Sequence, residues 1–220
     1  MRKSLLMAAT AAASAMLVMV PAAAALGAAA PHHVLTTGKV GGANVKVGAV
    51  LQASLKPRTV LVFASVSGTA ISLKCTKSTI TSKVTANPVR PGTAVQSLTK
   101  ETVTGCKAST NLVTSVTVTV TKLPSKVTTS DARGFPVTVF GPSATLKIVT
   151  TVIGTITCKY SARTIKGHAS NIGSLISFSK QVFNRAAGSN GACPAKGALT
   201  VTYGPVVDLS VLHHPHVFVN

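Results

Sequence analysis

The sequence predicts an all-β fold, a sandwich or barrel of about nine to eleven short, mostly antiparallel strands. Three observations carry this. From Thr59 onward apolar, largely β-branched residues recur with a period of two; turn signals punctuate the chain about every ten residues; and helical spacing of apolar residues is almost absent. About fifty Ser and Thr residues clothe the strands in place of charge.

Residues 1–24 read as a cleaved secretory signal. Arg2 and Lys3 make a short positive start, Leu5 to Val20 is an uncharged apolar run, and Pro21-Ala22-Ala23-Ala24 supplies the small residues a signal peptidase reads. An uncleaved anchor is the competing reading, because apolar residues continue through Ala30. Arg2-Lys3 is not a twin arginine, and no Cys follows the run to take a lipid. Residues 25–57 form an Ala/Gly-rich segment, mobile at its start, with one loosely paired strand from Val45 to Leu51. Residues 58–220 form a single β domain.

Within that domain, Val60 to Val66 is apolar on both faces, which suits a covered strand. Leu112 to Thr121 alternates Val with Ser or Thr, as expected of a strand with one wet face. Further strands are expected at Ile71–Cys75, Thr79–Thr85, Ala94–Thr104, Val137–Phe140, Ala144–Tyr160 with a break near Gly154, Arg163–Ala169, Ser174–Phe178, Gln181–Asn184, Ala198–Tyr203 and His216–Val219. Turn chemistry separates them at Asn87-Pro88, Arg90-Pro91-Gly92, Leu123-Pro124, Gly141-Pro142, Gly188-Ser189-Asn190-Gly191 and Gly204-Pro205.

Four cysteines, Cys75, Cys106, Cys158 and Cys193, read as two disulfides of a secreted chain. A metal site would want a C-x-x-C pair, and there is none. An internal echo bears on the pairing. Cys75 and Cys158 are each followed by Ser (Ser78, Ser161), Lys (Lys83, Lys166) and Ala (Ala86, Ala169) at equal offsets. Leu98-Thr99-Lys100-Glu101-Thr102-Val103 then resembles Phe178-Ser179-Lys180-Gln181-Val182-Phe183, and a second Cys closes each unit. Residues 68–106 and 154–193 read as an internal duplication, which pairs Cys75 with Cys106 and Cys158 with Cys193.

Composition narrows the function. The 220 residues hold 22 Lys and Arg against three acids, for a charge of +19, yet only 11% are charged, against about 25% in ordinary domains. Loss of Arg2 and Lys3 with the signal leaves 20 bases against three acids, or +17. An apolar content of 46% excludes a disordered polybasic arm, and 4% aromatics, with no Trp, leaves little for stacking platforms.

Two-carboxylate hydrolysis has only Glu101, Asp131 and Asp208 to draw on. Glu101 reads as an exposed ladder position and the two Asp residues as turn residues. A secreted hydrolase using His168 with a hydroxyl or a metal is the enzymatic alternative, but no G-x-S-x-G elbow is present. His213, His214 and His216, around Pro215, are weak metal candidates. No cofactor and no enzymatic activity are expected.

The remaining signal is the basic surface. Lys74, Lys77, Lys83, Lys100, Lys159, Lys166 and Lys180 are candidates for binding polyanions, with anionic cell-wall polymers or polysaccharides as partners and nucleic acid only non-specifically. The bland alternative is a soluble Lys/Thr surface whose lysines guard edge strands. The expected location is extracellular or cell-wall associated, with no stable membrane insertion after signal cleavage. An inhibitor-like protein-protein module is a third class, centred on residues 184–193.

The run from Cys75 to Asn220 resembles small secreted actinobacterial proteins rich in β structure, with four cysteines and no assigned function. The likeness rests on Cys75-Thr76-Lys77-Ser78, Asn87-Pro88, Pro91-Gly92-Thr93-Ala94, Ser97-Leu98-Thr99, Gly154-Thr155-Ile156-Thr157-Cys158, Ser177-Phe178, Cys193-Pro194-Ala195 and Val219-Asn220. It implies secretion and a disulfide-bonded β fold, and carries over no catalytic residue.

Overall fold

The computed structural model describes residues 31–66 and 72–220, and every helix or strand in them is a strand. In chain order these are β1 (Leu35–Thr37), β2 (Ala43–Asn44), β3 (Val50–Ser54), β4 (Leu61–Ser65), β5 (Ser72–Ala86), β6 (Thr93–Ala108), β7 (Val113–Val120), β8 (Ser125–Ser130), β9 (Pro136–Phe140), β10 (Ser143–Thr150), β11 (Gly154–Ser161), β12 (Thr164–Ser170), β13 (Leu175–Arg185), β14 (Lys196–Tyr203), β15 (Val207–Asp208) and β16 (Val217–Val219). The expected signal, the start of the Ala/Gly-rich segment and residues 68–71 at the start of the first echoed unit lie outside the described residues.

Eight strands close a barrel. Hydrogen-bonded neighbours run β12-β9-β8-β6-β5-β4-β14-β13, and β13 pairs back to β12. All of these pairs are antiparallel. Closure leaves each of these strands paired on both sides, which removes the exposed edges that invite aggregation. β4, apolar on both faces as expected of a covered strand, sits between β5 and β14. It shares its edge of β5 with β3: β4 pairs Ser72–Cys75 and β3 pairs Thr79–Lys83.

β13 splits the sheet. Its start pairs with β12 (His168↔Ser177) and its end with β11 (Tyr160↔Arg185), from which β10 and β7 continue as a three-stranded arm. β7 ends this path. Its Val116, Val118 and Val120 turn inward while Ser115, Thr117 and Thr119 are exposed, the one-wet-face pattern that the alternation predicts.

A smaller sheet, β16-β1-β2, caps one end. Val34, Leu35, Val217 and Val219 are buried there against Val84 and Ala94 of the β5–β6 hairpin. Residues 31–57 therefore differ from the expected loose segment: they supply β1, β2 and β3. Val45 to Ala49 is a turn with both named residues buried, and the strand begins only at Val50. β1 finds its partner at the far end of the chain (Leu35↔Val219), so no local pattern announces it.

Both disulfides take the expected pairing. Cys75 and Cys106 face each other across the β5–β6 ladder, with Cα atoms 3.9 Å apart. Cys158 of β11 joins Cys193 in the loop before β14, Cα atoms 5.6 Å apart.

Candidate functional site

A partly open cavity of about 140 Å³ is lined by the barrel and by β7 and β10 of the arm, with mostly apolar walls, among them Leu73, Val103, Val127, Ile165 and Phe178. A few polar side chains interrupt them: Ser82, Gln96, Glu101, Ser125 and Tyr203.

A β-bulge puts Glu101 there. Thr81 pairs with Lys100 but Ser82 with Leu98, so Thr99 is an extra residue in β6. The alternation advances by one place: Leu98 and Glu101 both point inward, and Lys100 points to solvent. The expectation of an exposed ladder position for Glu101 is thereby corrected. The matching stretch of the echo, Phe178 to Gln181 in β13, also carries a register shift, and Lys180 there has φ of 48°. The two echoed segments thus share a bulge as well as residues.

Tyr203 donates its hydroxyl to Glu101 Oε1 at 3.2 Å and lies 2.9 Å from Ser78 Oγ. Burial raises the Glu101 carboxyl above its ordinary value, with the Tyr203 bond opposing the rise. Burial, and then the neighbouring Glu101 charge, push the Tyr203 phenol well above its usual value. The result is a single carboxyl and a phenol in an apolar chamber. The other two acids are engaged elsewhere. Asp131 accepts the Gly92 amide with both oxygens at 3.1 Å, and Asp208, 1% exposed, accepts the Ser210 amide at 2.9 Å.

His168 does not join them. It is exposed on β12, between Pro136 of β9 and Ser177 of β13, and the register sets no carboxylate beside it. Its partner on β13, Ser177, carries a hydroxyl that lies 3.1 Å from Thr202 Oγ1. His213, His214 and His216 are exposed, with His213 and His214 at positive φ, and the His216 ring tilts against Phe218. Among the described residues no three His, Cys, Asp or Glu side chains gather as a metal site would require.

All seven lysine candidates, Lys74, Lys77, Lys83, Lys100, Lys159, Lys166 and Lys180, are exposed. Two local groupings stand out. Lys74 sits directly opposite Lys107 on the β5–β6 ladder. Lys83, Ser97 and Lys126 form a row across β5, β6 and β8, which sets the two lysines two strand spacings apart, about 10 Å. Lys126 also reaches over the Phe140 ring at 5.4 Å.

No protein-family model, curated protein or solved structure matches the chain. Residues 184–193, the expected inhibitor-like stretch, are fastened to the body. Ser189 Oγ accepts the Lys159 amide at 2.9 Å, the Asn190 amide donates to Thr157 O at 2.9 Å, and Arg185 Nη1 donates to Cys193 O at 2.8 Å.

Tyr203 stood in the sequence only as the end of an expected strand, with no site role attached. Its one available signal was a Tyr in an alternating strand of a chain with two tyrosines, a phenol that must find a partner once buried.

Proposed function

We propose that this chain is an exported, non-catalytic binding protein whose basic exterior associates with anionic polymers of the cell envelope or extracellular space. One observation carries the reading. The seven candidate lysines are exposed, while only three acids stand against 22 Lys and Arg and two of them, Glu101 and Asp208, are turned inward, so acids do little to offset the outward charge. Like charges directly opposite on a ladder, as at Lys74 and Lys107, cost stability when no anion lies between them. A polyanion would turn that cost into binding energy, with steep salt dependence. The two disulfides fit an oxidising compartment. Among the described residues no helix is long and apolar enough to cross a membrane.

The test is retention of the protein on immobilised heparin and on cell-wall sacculi across a salt gradient. Retention well beyond about 0.1 M salt on both supports the reading, because many simultaneous charge contacts hold past that point. Elution from both below it overturns the reading.

A further inference from the structure

At the end of the molecule away from the β16-β1-β2 cap, a second cavity opens. It has a volume of about 350 Å³, within the range of about 300–1,000 Å³ typical of ligand pockets. Leu73, Val113, Leu146, Ile148 and Ile156 form its walls. Its floor is Phe63, whose ring stands edge-on to Tyr160 at 5.0 Å. Gly197 lets that ring lie flush, since a Cβ there would come within 2.0 Å of it.

Two features say what the cavity takes. The buried side-chain polar atoms of the described residues all have partners, and the Tyr160 hydroxyl is spent on Pro194 O at 2.9 Å, so the chamber asks for hydrocarbon. Its lip is built from apolar side chains left in water: Leu112 is 56% exposed, Val152 74% and Ile153 60%. Three such residues converging on one opening mark a binding mouth, not scattered surface hydrophobes. Among the described residues, the charged residue on the lining is Lys196, exposed at the start of β14, and no carboxylate accompanies it.

We propose that this cavity binds the hydrocarbon chain of a single-chain amphiphile and that Lys196 receives its anionic head, a carboxylate or a phosphate monoester. A methylene is close to a water molecule in size, about 30 Å³, so the volume accommodates a chain of about twelve carbons. The site is separate from the lysines proposed to hold polymers.

The probe is dodecanoate, titrated below its micelle concentration and followed by calorimetry and native mass spectrometry. The expected result is saturable binding of one dodecanoate per chain. Lys196→Glu and Ile153→Asp, both at exposed positions, each weaken it about ten-fold or more without changing the melting temperature. Lys46→Glu, the same charge change in the turn between β2 and β3, leaves it unaltered. Dodecyltrimethylammonium, with the same chain and the opposite head, binds the native protein at least about ten-fold more weakly and gains from Lys196→Glu. Non-saturable uptake, equal loss in Lys46→Glu, or equal affinity for the two heads overturns the proposal. Heparin retention of the Ile153→Asp protein is read in parallel: its persistence separates failure of this site from failure of the polymer reading.

Discussion

Tyr203 and Glu101, 102 residues apart in the chain, meet at 3.2 Å inside the barrel and form the one carboxyl-phenol contact facing its apolar chamber. The pair exists because of the Thr99 bulge. Were the same residues to alternate regularly with no bulge, Lys100 would point inward in place of Glu101, and the interior could not solvate an ammonium there.

The contact has a pH consequence. Glu101 titrates above its ordinary 4.5 in the folded chain because burial disfavours its charge. The unfolded chain ionises first as pH rises, so the stabilising contribution is complete below the unfolded value and is lost as pH climbs through the folded one. Glu101→Gln removes this dependence. Melting temperatures followed upward in pH from below the ordinary carboxylate value are expected to show the native protein losing stability relative to the variant, then running parallel once Glu101 is ionised in the folded chain as well. Parallel curves throughout would show that Glu101 is not desolvated.

Cys158–Cys193 closes a loop of about the same length as Cys75–Cys106, with separations of 35 and 31 residues, so chain entropy assigns each about 3 to 4 kcal/mol. They differ in what they hold. Cys75–Cys106 links two strands already paired, whereas Cys193 fastens an irregular segment to β11. Replacing Cys158 and Cys193 together by Ala is expected to open residues 186–195 to proteolysis while the rest of the barrel resists. Replacing Cys75 and Cys106 together lowers global stability without a new cleavage site there. Limited proteolysis with mass mapping separates the two outcomes.

The strands legible in the sequence were those where alternation of Val with Thr is explicit, as in β7 and in the β10–β11 hairpin. β8 was not, because two of its three inward residues, Ser125 and Thr129, are polar and buried, with Gln96 donating to Thr129 Oγ1 at 3.3 Å. A barrel partly lined by hydroxyls breaks the link between apolar and inward on which the period-two reading depends. Bulges hid the rest: the shift at Thr99 moves Glu101 inside, and the shift in β13 joins what reads as two strands into one. In the cap, β16 was legible as the expected His216–Val219 strand, but β1 was not, since the strand that completes it lies 180 or more positions away.

The cap depends on one side chain that reads only as a turn residue. Asn87, 6% exposed, accepts the Leu35 amide at 2.9 Å and donates to Leu35 O at 2.9 Å and Val45 O at 2.8 Å. Asn87→Ala leaves these backbone groups without those partners in a dry environment, at about 1–3 kcal/mol for each group left unsatisfied. The expected loss is at least about 2 kcal/mol in denaturant unfolding, with the Leu35 amide among the first to lose hydrogen-exchange protection. Continued protection of that amide would show that β1 is held without Asn87.

The Lys74–Lys107 pair lets structure and function be told apart in one variant. Two ammonium groups directly opposite on a ladder repel, and an opposite-charge pair there is favourable by about 0.2 to 1 kcal/mol. Lys107→Glu is therefore expected to raise the denaturation midpoint slightly at low salt, an effect that fades as salt screens the pair. If the lysines serve polyanions, the same variant elutes from heparin at lower salt, since it loses one positive charge, adds a negative one and neutralises its neighbour. A gain in stability together with a loss of retention identifies a surface kept basic at the expense of the fold. Retention equal to the native protein, with stability gained, would assign the lysines to solubility and edge protection alone.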